Sequence, residues 1–189
     1  MRLSLFKGLL LAAAASVMIT GCTTNRTFGG GVDDVTADIN LRARLFDDGL
    51  YDYSDVDLTV YEGRVLLTGT MRTREGKRHL QDLAASSANV EEVMNEIIIG
   101  PKTPFNQGTS DALIDEKLGF ALLADNGVYR ANYQIAVSGG IVYILGVAQG
   151  PAELTRVTDH ARNIRGVKKV VSHVLYVGDP RRQTRATSR

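Results

Sequence analysis

Apolar and polar residues alternate with a period of two from Val56 to Gly69. Val56, Leu58 and Val60 are separated by Asp57 and Thr59, Glu62-Gly63 offers a tight turn, and Val65 and Leu67 resume the alternation. That pattern predicts a β-hairpin with one buried face, turned by a glycine that accepts positive φ. It returns 77 residues later as Tyr133, Ile135 and Val137, a turn at Gly139-Gly140, then Val142, Ile144 and Gly146. One hairpin repeated at a constant offset predicts a duplicated module.

On either side of each hairpin the period lengthens to that of a helix. Asp34 to Phe46 places Ala37, Leu41 and Leu45 on one face, and Val35, Ile39 and Phe46 are expected to widen that buried stripe. Asp33 or Asp34 can cap this helix, and Asp48-Gly49 ends it. Glu75 to Ser87 predicts a second helix, with Leu80, Leu83 and Ala84 inward, and Val93 to Ile99 a third strand. The second half repeats the order. A helix from Asp111 to Ala124 turns Ile114, Leu118, Ala121 and Leu122 inward, and a hairpin spans Tyr133 to Val147. A helix from Ala152 to Ile164 and a strand from Val170 to Val177 follow. Asp38 and Asp115, Leu41 and Leu118, Leu45 and Leu122, and Gly69 and Gly146 fall in register.

The predicted fold class is α+β. Two tandem modules are each built α-β-β-α-β, with a three-stranded mixed sheet covered on one face by two helices. The other face of each sheet is left wet or open to pairing. Gly100 to Ser110 holds two prolines and two glycines, which predicts a linker without helix or strand. The expected segments are a signal over 1–21, a flexible tether over 22–33, modules over 34–100 and 111–178 with the linker 101–110 between them, and a disordered basic tail over 179–189.

The first segment stands apart from the fold. Arg2 and Lys7 precede an apolar run from Leu9 to Ile19 that is too short to span a bilayer, and Ile19-Thr20-Gly21-Cys22 follows. This ending resembles a bacterial lipobox. The resemblance implies that Cys22, the only cysteine, carries acyl chains and becomes the first residue after cleavage. More than one chain makes such anchoring stable. Thr23 in place of an aspartate implies sorting to the periplasmic face of an outer membrane. Loss of residues 1–21 removes Arg2 and Lys7 and no acid, so a formal charge of +1 falls to −1. So even a balance gives nucleic acid no electrostatic footprint.

The residue types for catalysis do not converge. His79, His160 and His173 have no metal-ligand spacing and read as surface histidines, Cys22 is taken by lipid, and Gly139-Gly140 lacks the Lys and Ser/Thr of a phosphate loop. The acidic run from Asp33 to Asp57 lacks the spacing of a calcium loop and reads as caps and solvated surface. No enzyme activity, metal or cofactor is expected.

The two first helices differ. Leu113, Phe120 and Leu123, with Lys117 between the first two, add apolar surface where the first module has Thr36, Ala43 and Phe46, with Asn40. This surface packs against the other module or the linker at Phe105, or it meets lipid or a partner. Asp111, Asp115 and Glu116 on the same helix argue against tight binding of anionic headgroups. Lys168 and Lys169, with Arg156, Arg162 and Arg165, form a basic patch that is either electrostatic bait or plain solvated surface.

Gly63-Arg64-Val65-Leu66-Leu67-Thr68-Gly69, its repeat Gly140-Ile141-Val142-Tyr143-Ile144-Leu145-Gly146, and Gly166-Val167-Lys168-Lys169-Val170 together resemble the BON domain. In the first copy Asn89 stands in place of Gly166. A lipobox followed by two such modules resembles the dual-BON outer-membrane lipoproteins. That resemblance implies binding to membrane phospholipid, in support of outer-membrane integrity, with the second module as contact. Leu113, Lys117, Phe120, Lys168 and Lys169 are the candidate residues, and Cys22 is the lipidation site. The alternative is a protein-interaction module docking onto outer-membrane assembly machinery or another envelope partner.

Overall fold

Helices and strands follow one another in the predicted order. The computed structural model describes residues 28–182. The signal segment, Cys22, most of the tether and the end of the tail lie outside these residues. The first module comprises α1 (Phe28–Asp48), β1 (Val56–Tyr61), β2 (Arg64–Met71), α2 (Arg74–Ala85), β3 (Glu92–Asn95) and β4 (Ile98–Ile99). The second comprises α3 (Phe105–Ala124), β5 (Tyr133–Ser138), β6 (Ile141–Ala148), α4 (Pro151–Asn163) and β7 (Lys169–Tyr176).

Each hairpin is antiparallel, with Val56 opposite Gly69 in the first and Tyr133 opposite Gly146 in the second. The helical crossover makes the third strand parallel to the second in both modules. In the second module this ladder runs unbroken from Ile141–Lys169 to Ala148–Tyr176. In the first it breaks at Glu96-Ile97, so the predicted strand becomes β3 and β4, both paired with β2 in a single register. The glycine that closes each hairpin has no alternative. A Cβ on Gly69 would lie 1.9 Å from the Asp55 carbonyl oxygen, and one on Gly146 would lie 2.1 Å from that of Asn132.

Three apolar clusters hold the molecule together. Leu41, Leu58, Val65, Leu67 and Leu80 fill the space between the first sheet and its helices. Ile114, Leu118, Leu122, Ile144 and Val157 do the same in the second module. The third cluster joins the modules: Tyr61, Leu66 and Met94 meet Ala136, Tyr143, Leu145, Val147 and Leu175. The sheet faces expected to be wet or open to pairing are therefore packed on one another, which places α1/α2 and α3/α4 on opposite outer sides. The reason is the composition of β6, where Tyr143, Leu145 and Val147 point away from the helices and need cover as much as Val142 and Ile144 do. Each such buried side chain contributes roughly 1.5–3 kcal/mol.

Two expectations about helix starts are corrected. α1 already runs from Phe28, inside the stretch read as tether, and Asp34 lies within it rather than at its cap. α3 begins at Phe105, inside the stretch read as linker, with Pro104 at its N-cap. Adding turns to a helix already packed on a sheet costs less than starting one, and proline is tolerated at a helix start. The linker is also pinned. Lys102 pairs with Asp52 at 2.8 Å, and the Thr103 backbone N–H and hydroxyl both donate to Asp55.

The tail is ordered at its beginning, against expectation. Arg182 lies only 14% exposed and donates to both carboxylate oxygens of Glu62, at 2.9 and 2.8 Å. Arg181 pairs with Asp179. A basic composition reads as disorder until acids on another module meet it.

Candidate functional site

The same device positions both first helices. Asp34 accepts the Glu62 and Gly63 backbone N–H groups at 2.7 and 2.8 Å. Asp111 accepts those of Gly139 and Gly140 at 2.7 and 2.8 Å. Both carboxylates are buried. Each clamps its helix to its own hairpin turn, with charge-assisted bonds that satisfy four turn amides in all. The sequence held a signal for this: Asp34 and Asp111 share the offset of the hairpins. The helix ends are tied as well. Asp48 Oδ1 lies 2.7 Å from His79 Nε2, and Asp125 Oδ2 lies 2.8 Å from His160 Nε2. His79 and His160, expected as free surface residues, join helices. His173 crosses between the modules to Glu96 at 2.9 Å.

The α3 surface is open. Leu113 is 49% exposed and Phe120 65%, Leu123 and Lys117 are exposed beside them, and Phe105 is exposed as well. None of the apolar ones has gone to the module interface or under the linker, since the sheets rather than the helices meet there. Of the acids on this helix only Asp111 is buried. Asp111 is engaged at the turn. Asp115 lines the cleft between the modules, where desolvation pushes its carboxyl up, Arg130 opposes and nearby Asp57 adds to the rise. Asp115 and Glu116 both remain exposed.

The basic patch divides. Arg156 pairs with Asp125 at the far end of α3, and Arg162 pairs with Asp159. Lys168 lays its alkyl chain over Gly140 and donates to the Gly139 carbonyl at 2.8 Å. Lys169 and Arg165 are exposed. Their loop passes close to α3, because a Cβ on Gly166 would lie 3.4 Å from Ile114 Cδ1, one residue from Leu113. Leu113, Lys117 and Phe120 are thus exposed on α3, and Arg165, Lys168 and Lys169 are exposed on and after the loop that passes Ile114.

A second exposed apolar surface was missed in the sequence. Val35, Ile39 and Phe46, expected in the core, stand outside; Ile39 is 61% exposed and Phe46 89%. Among the apolar side chains described on this helix, Ala37 and Leu41 are fully closed in the core. Elsewhere a cleft of about 210 Å³ in the first module, lined by Tyr51, Asp55, Met71 and Lys102 among others, lies beyond the candidate residues. Among the described residues, no three His, Cys, Asp or Glu side chains are grouped to hold a metal ion. No described helix is long and apolar enough to cross a membrane.

Comparison with known proteins gives the geometry a family. The BON domain matches twice, over residues 33–101 and 110–178. An uncharacterized protein in the gshII 5' region of Anaplasma centrale is 33% identical over 144 residues, 76% of this chain and 94% of the relative. A 21 kDa hemolysin of Actinobacillus pleuropneumoniae is 31% identical over 153 residues, 80% of this chain and 78% of the relative. The outer membrane lipoprotein DolP of Haemophilus influenzae is 28% identical across 194 aligned positions, covering 94% of this chain and all of the relative (100%). With two tandem copies of the repeat packed sheet to sheet, the chain belongs to the BON-domain family, as a dual-BON protein of the DolP type.

Proposed function

We propose that this is a lipid-anchored envelope protein, held through Cys22 at the periplasmic face of an outer membrane, that binds phospholipid and supports outer-membrane integrity. The α3 surface of the second module is the contact, and binding rather than catalysis is its work. The observation that carries this reading is the exposure of Leu113 and Phe120 around Lys117 on a helix whose inward face already closes the core. Apolar side chains of this size enter the acyl boundary while a lysine meets phosphate. The engagement of Asp111 at the turn removes part of the repulsion that composition implied. The relative named as an outer membrane lipoprotein supports the location.

An NMR titration of residues 23–189 with anionic and zwitterionic micelles tests the contact. Shifts are expected along Leu113–Phe120 and at Arg165–Lys169, stronger with anionic micelles, and the double variant Leu113→Asp/Phe120→Asp should weaken binding at least about tenfold. Absence of shifts in both micelles would sink the lipid reading. A crosslinked envelope protein lost in the same variant would then favour docking onto assembly machinery.

A further inference from the structure

An acidic cleft runs between the modules where the edges of their sheets meet. Among the described residues β1 pairs with β2 alone and β5 with β6 alone, and the two outer edges lie beside each other. One hollow of about 440 Å³ lies between Ser54–Asp57 and Ile135–Ser138, beside α3. A second, of about 310 Å³, meets it at Ile135 and continues along Leu58–Val60 beside α1. Six aspartates line the two hollows, and no lysine or arginine does. Four of the six are held. Asp34 and Asp111 accept from the hairpin turns, Asp55 accepts from Thr70 and Thr103, and Asp38 accepts from Arg42. The other two, Asp57 and Asp115, come from different modules, and both are exposed. The cations near them are shared. Arg42 stands 3.9 Å from Asp57 but 2.9 Å from Asp38, and Arg130, which opposes the rise at Asp115, donates to the Tyr133 carbonyl. Two like charges thus face one cleft from two modules, a setting that favours a further cation.

The chain itself supplies one. Arg182 is tied to Glu62, and the Glu62 backbone N–H is bonded to Asp34, which lines the near end of the cleft. Residues 183–189, Gln-Thr-Arg-Ala-Thr-Ser-Arg, come next, with two arginines and no acid. At about 3.3–3.6 Å per residue this segment reaches at most roughly 25 Å. Along β1, Glu62 and Asp57 are only about 17 Å apart, so the segment spans the cleft with side-chain reach to spare. We propose that residues 183–189 lie in this cleft in their own molecule, running back along β1, with the Arg185 and Arg189 guanidiniums drawn to Asp57 and Asp115. Charge holds the segment rather than a third strand ladder, because Arg42 already occupies the Leu58 carbonyl on that edge. The segment is a strap. It ties the modules at the β1 and β5 edges, while His173 and Glu96 tie them on the side of β7 and β3. It also closes, from within, an acidic surface that would otherwise be open to basic partners.

Cys22 is the only cysteine, so the whole chain from residue 22 with Cys22→Ser and Ala186→Cys takes a single nitroxide label in the proposed strap. Amide NMR signals then report what lies near it. At about 50 mM salt the label should remove at least about half of the signal at Asp57, Asp115 and Ile135, and at about 1 M, where charges are screened within roughly 3 Å, that signal should return. Amides of α2 and α4, which pack toward β3 and β7, should keep theirs throughout. Asp57→Asn with Asp115→Asn, both at exposed positions, should restore the lost signals at low salt and leave the rest of the spectrum that of the folded parent. Arg185→Gln with Arg189→Gln should do the same from the other side of the contact. Absence of broadening overturns the inference, as does broadening that survives either pair of changes. Spin-labelled chain mixed with unlabelled, isotope-enriched chain separates the two sources of a tail. Equal broadening in that mixture would place a second copy's tail in the cleft and overturn docking within one molecule.

Discussion

On their inner sides α1 and α3 are near copies. Leu41 and Leu118 close the two cores, and Asp34 and Asp111 grip the two hairpin turns with almost identical distances. Outward they part. α1 shows a line of Val35, Ile39, Ala43 and Phe46 beside Arg42, which is bonded to Asp38 and the Leu58 carbonyl, while α3 shows Leu113 and Phe120 around Lys117, with a basic loop passing Ile114. Duplication preserved what the sheet requires of its first helix and left the outer face free to diverge. The difference is one of chemistry as well as shape. A stripe whose arginine is already bonded gains mostly by apolar burial, whereas one around an exposed lysine also gains from phosphate and loses that gain as salt screens it.

The inner half of this comparison breaks most readily at the clamp, where the largest effect is expected. Asp34→Ala and Asp111→Ala each leave two turn amides without their carboxylate, and each should destabilise by about 2–4 kcal/mol, since hydrogen bonds to charged groups are worth more than neutral ones. Asparagine at either position keeps one acceptor oxygen and should recover roughly half of that. Urea unfolding of the four variants measures this. A severe Asp34→Ala with a mild Asp111→Ala would show that the two helices are held by different means despite the matching distances.

How much of this could be read beforehand differs from element to element. The alternation of Val56, Leu58 and Val60, and its repeat, carried the hairpins, because a two-residue period has one interpretation in a short run. Sheet-to-sheet packing was half visible. Ile141-Val142-Tyr143-Ile144-Leu145 is apolar on both faces, as a strand buried on two sides must be. Its partner strand concealed the same fact, since Arg64, Thr68 and Thr70 occupy outward positions there and look solvated. The helices misled in the opposite direction. An apolar stripe wider than the core needs looks like more core, so Val35, Ile39 and Phe46 were placed inside. The surplus on α3 was visible only by comparison with α1. The role of Asp111 was not visible, because composition counts a carboxylate as surface charge whether it faces solvent or backbone amides. The histidine ties join residues 31 and 35 positions apart, which no local pattern encodes.

A middle-sized effect separates the two hairpin turns. The turn at Glu62 has a second holder, Arg182 from the end of the other module, whereas the turn at Gly139 is met by Lys168 of its own module. Arg182→Ala removes a charge pair that is mostly shielded from solvent and should cost about 1–2 kcal/mol, less than the loss of a fully buried pair. Hydrogen exchange should quicken at Glu62 and Gly63 and stay unchanged at Gly139 and Gly140. Equal acceleration at both turns would mean that Arg182 serves the whole module interface, through the shared cluster around Tyr61 and Leu145, rather than one turn.

The smallest effect lies where the helices end. Asp125 is drawn down to about 2 from an ordinary 3.8, first by the hydrogen bond from His160, then by the Gly127 amide, with burial opposing and Arg156 adding. Asp48 is lowered too, by the Tyr53 hydroxyl first and then by His79. His79 and Arg156 stand at equivalent positions of α2 and α4, so the duplication kept a donor at this place and changed its identity. A carboxyl with a depressed pKa binds its proton less readily folded than unfolded. Its contribution is therefore complete above about pH 4 and is lost as pH falls toward about 2. Asp125→Asn should accordingly lower the melting temperature near neutrality, and the gap to the parent should close over that interval. If the gap persists unchanged at about pH 2, the tie at the end of α3 does not depend on the charge of Asp125, and the amide contact at Gly127 alone holds the helix end.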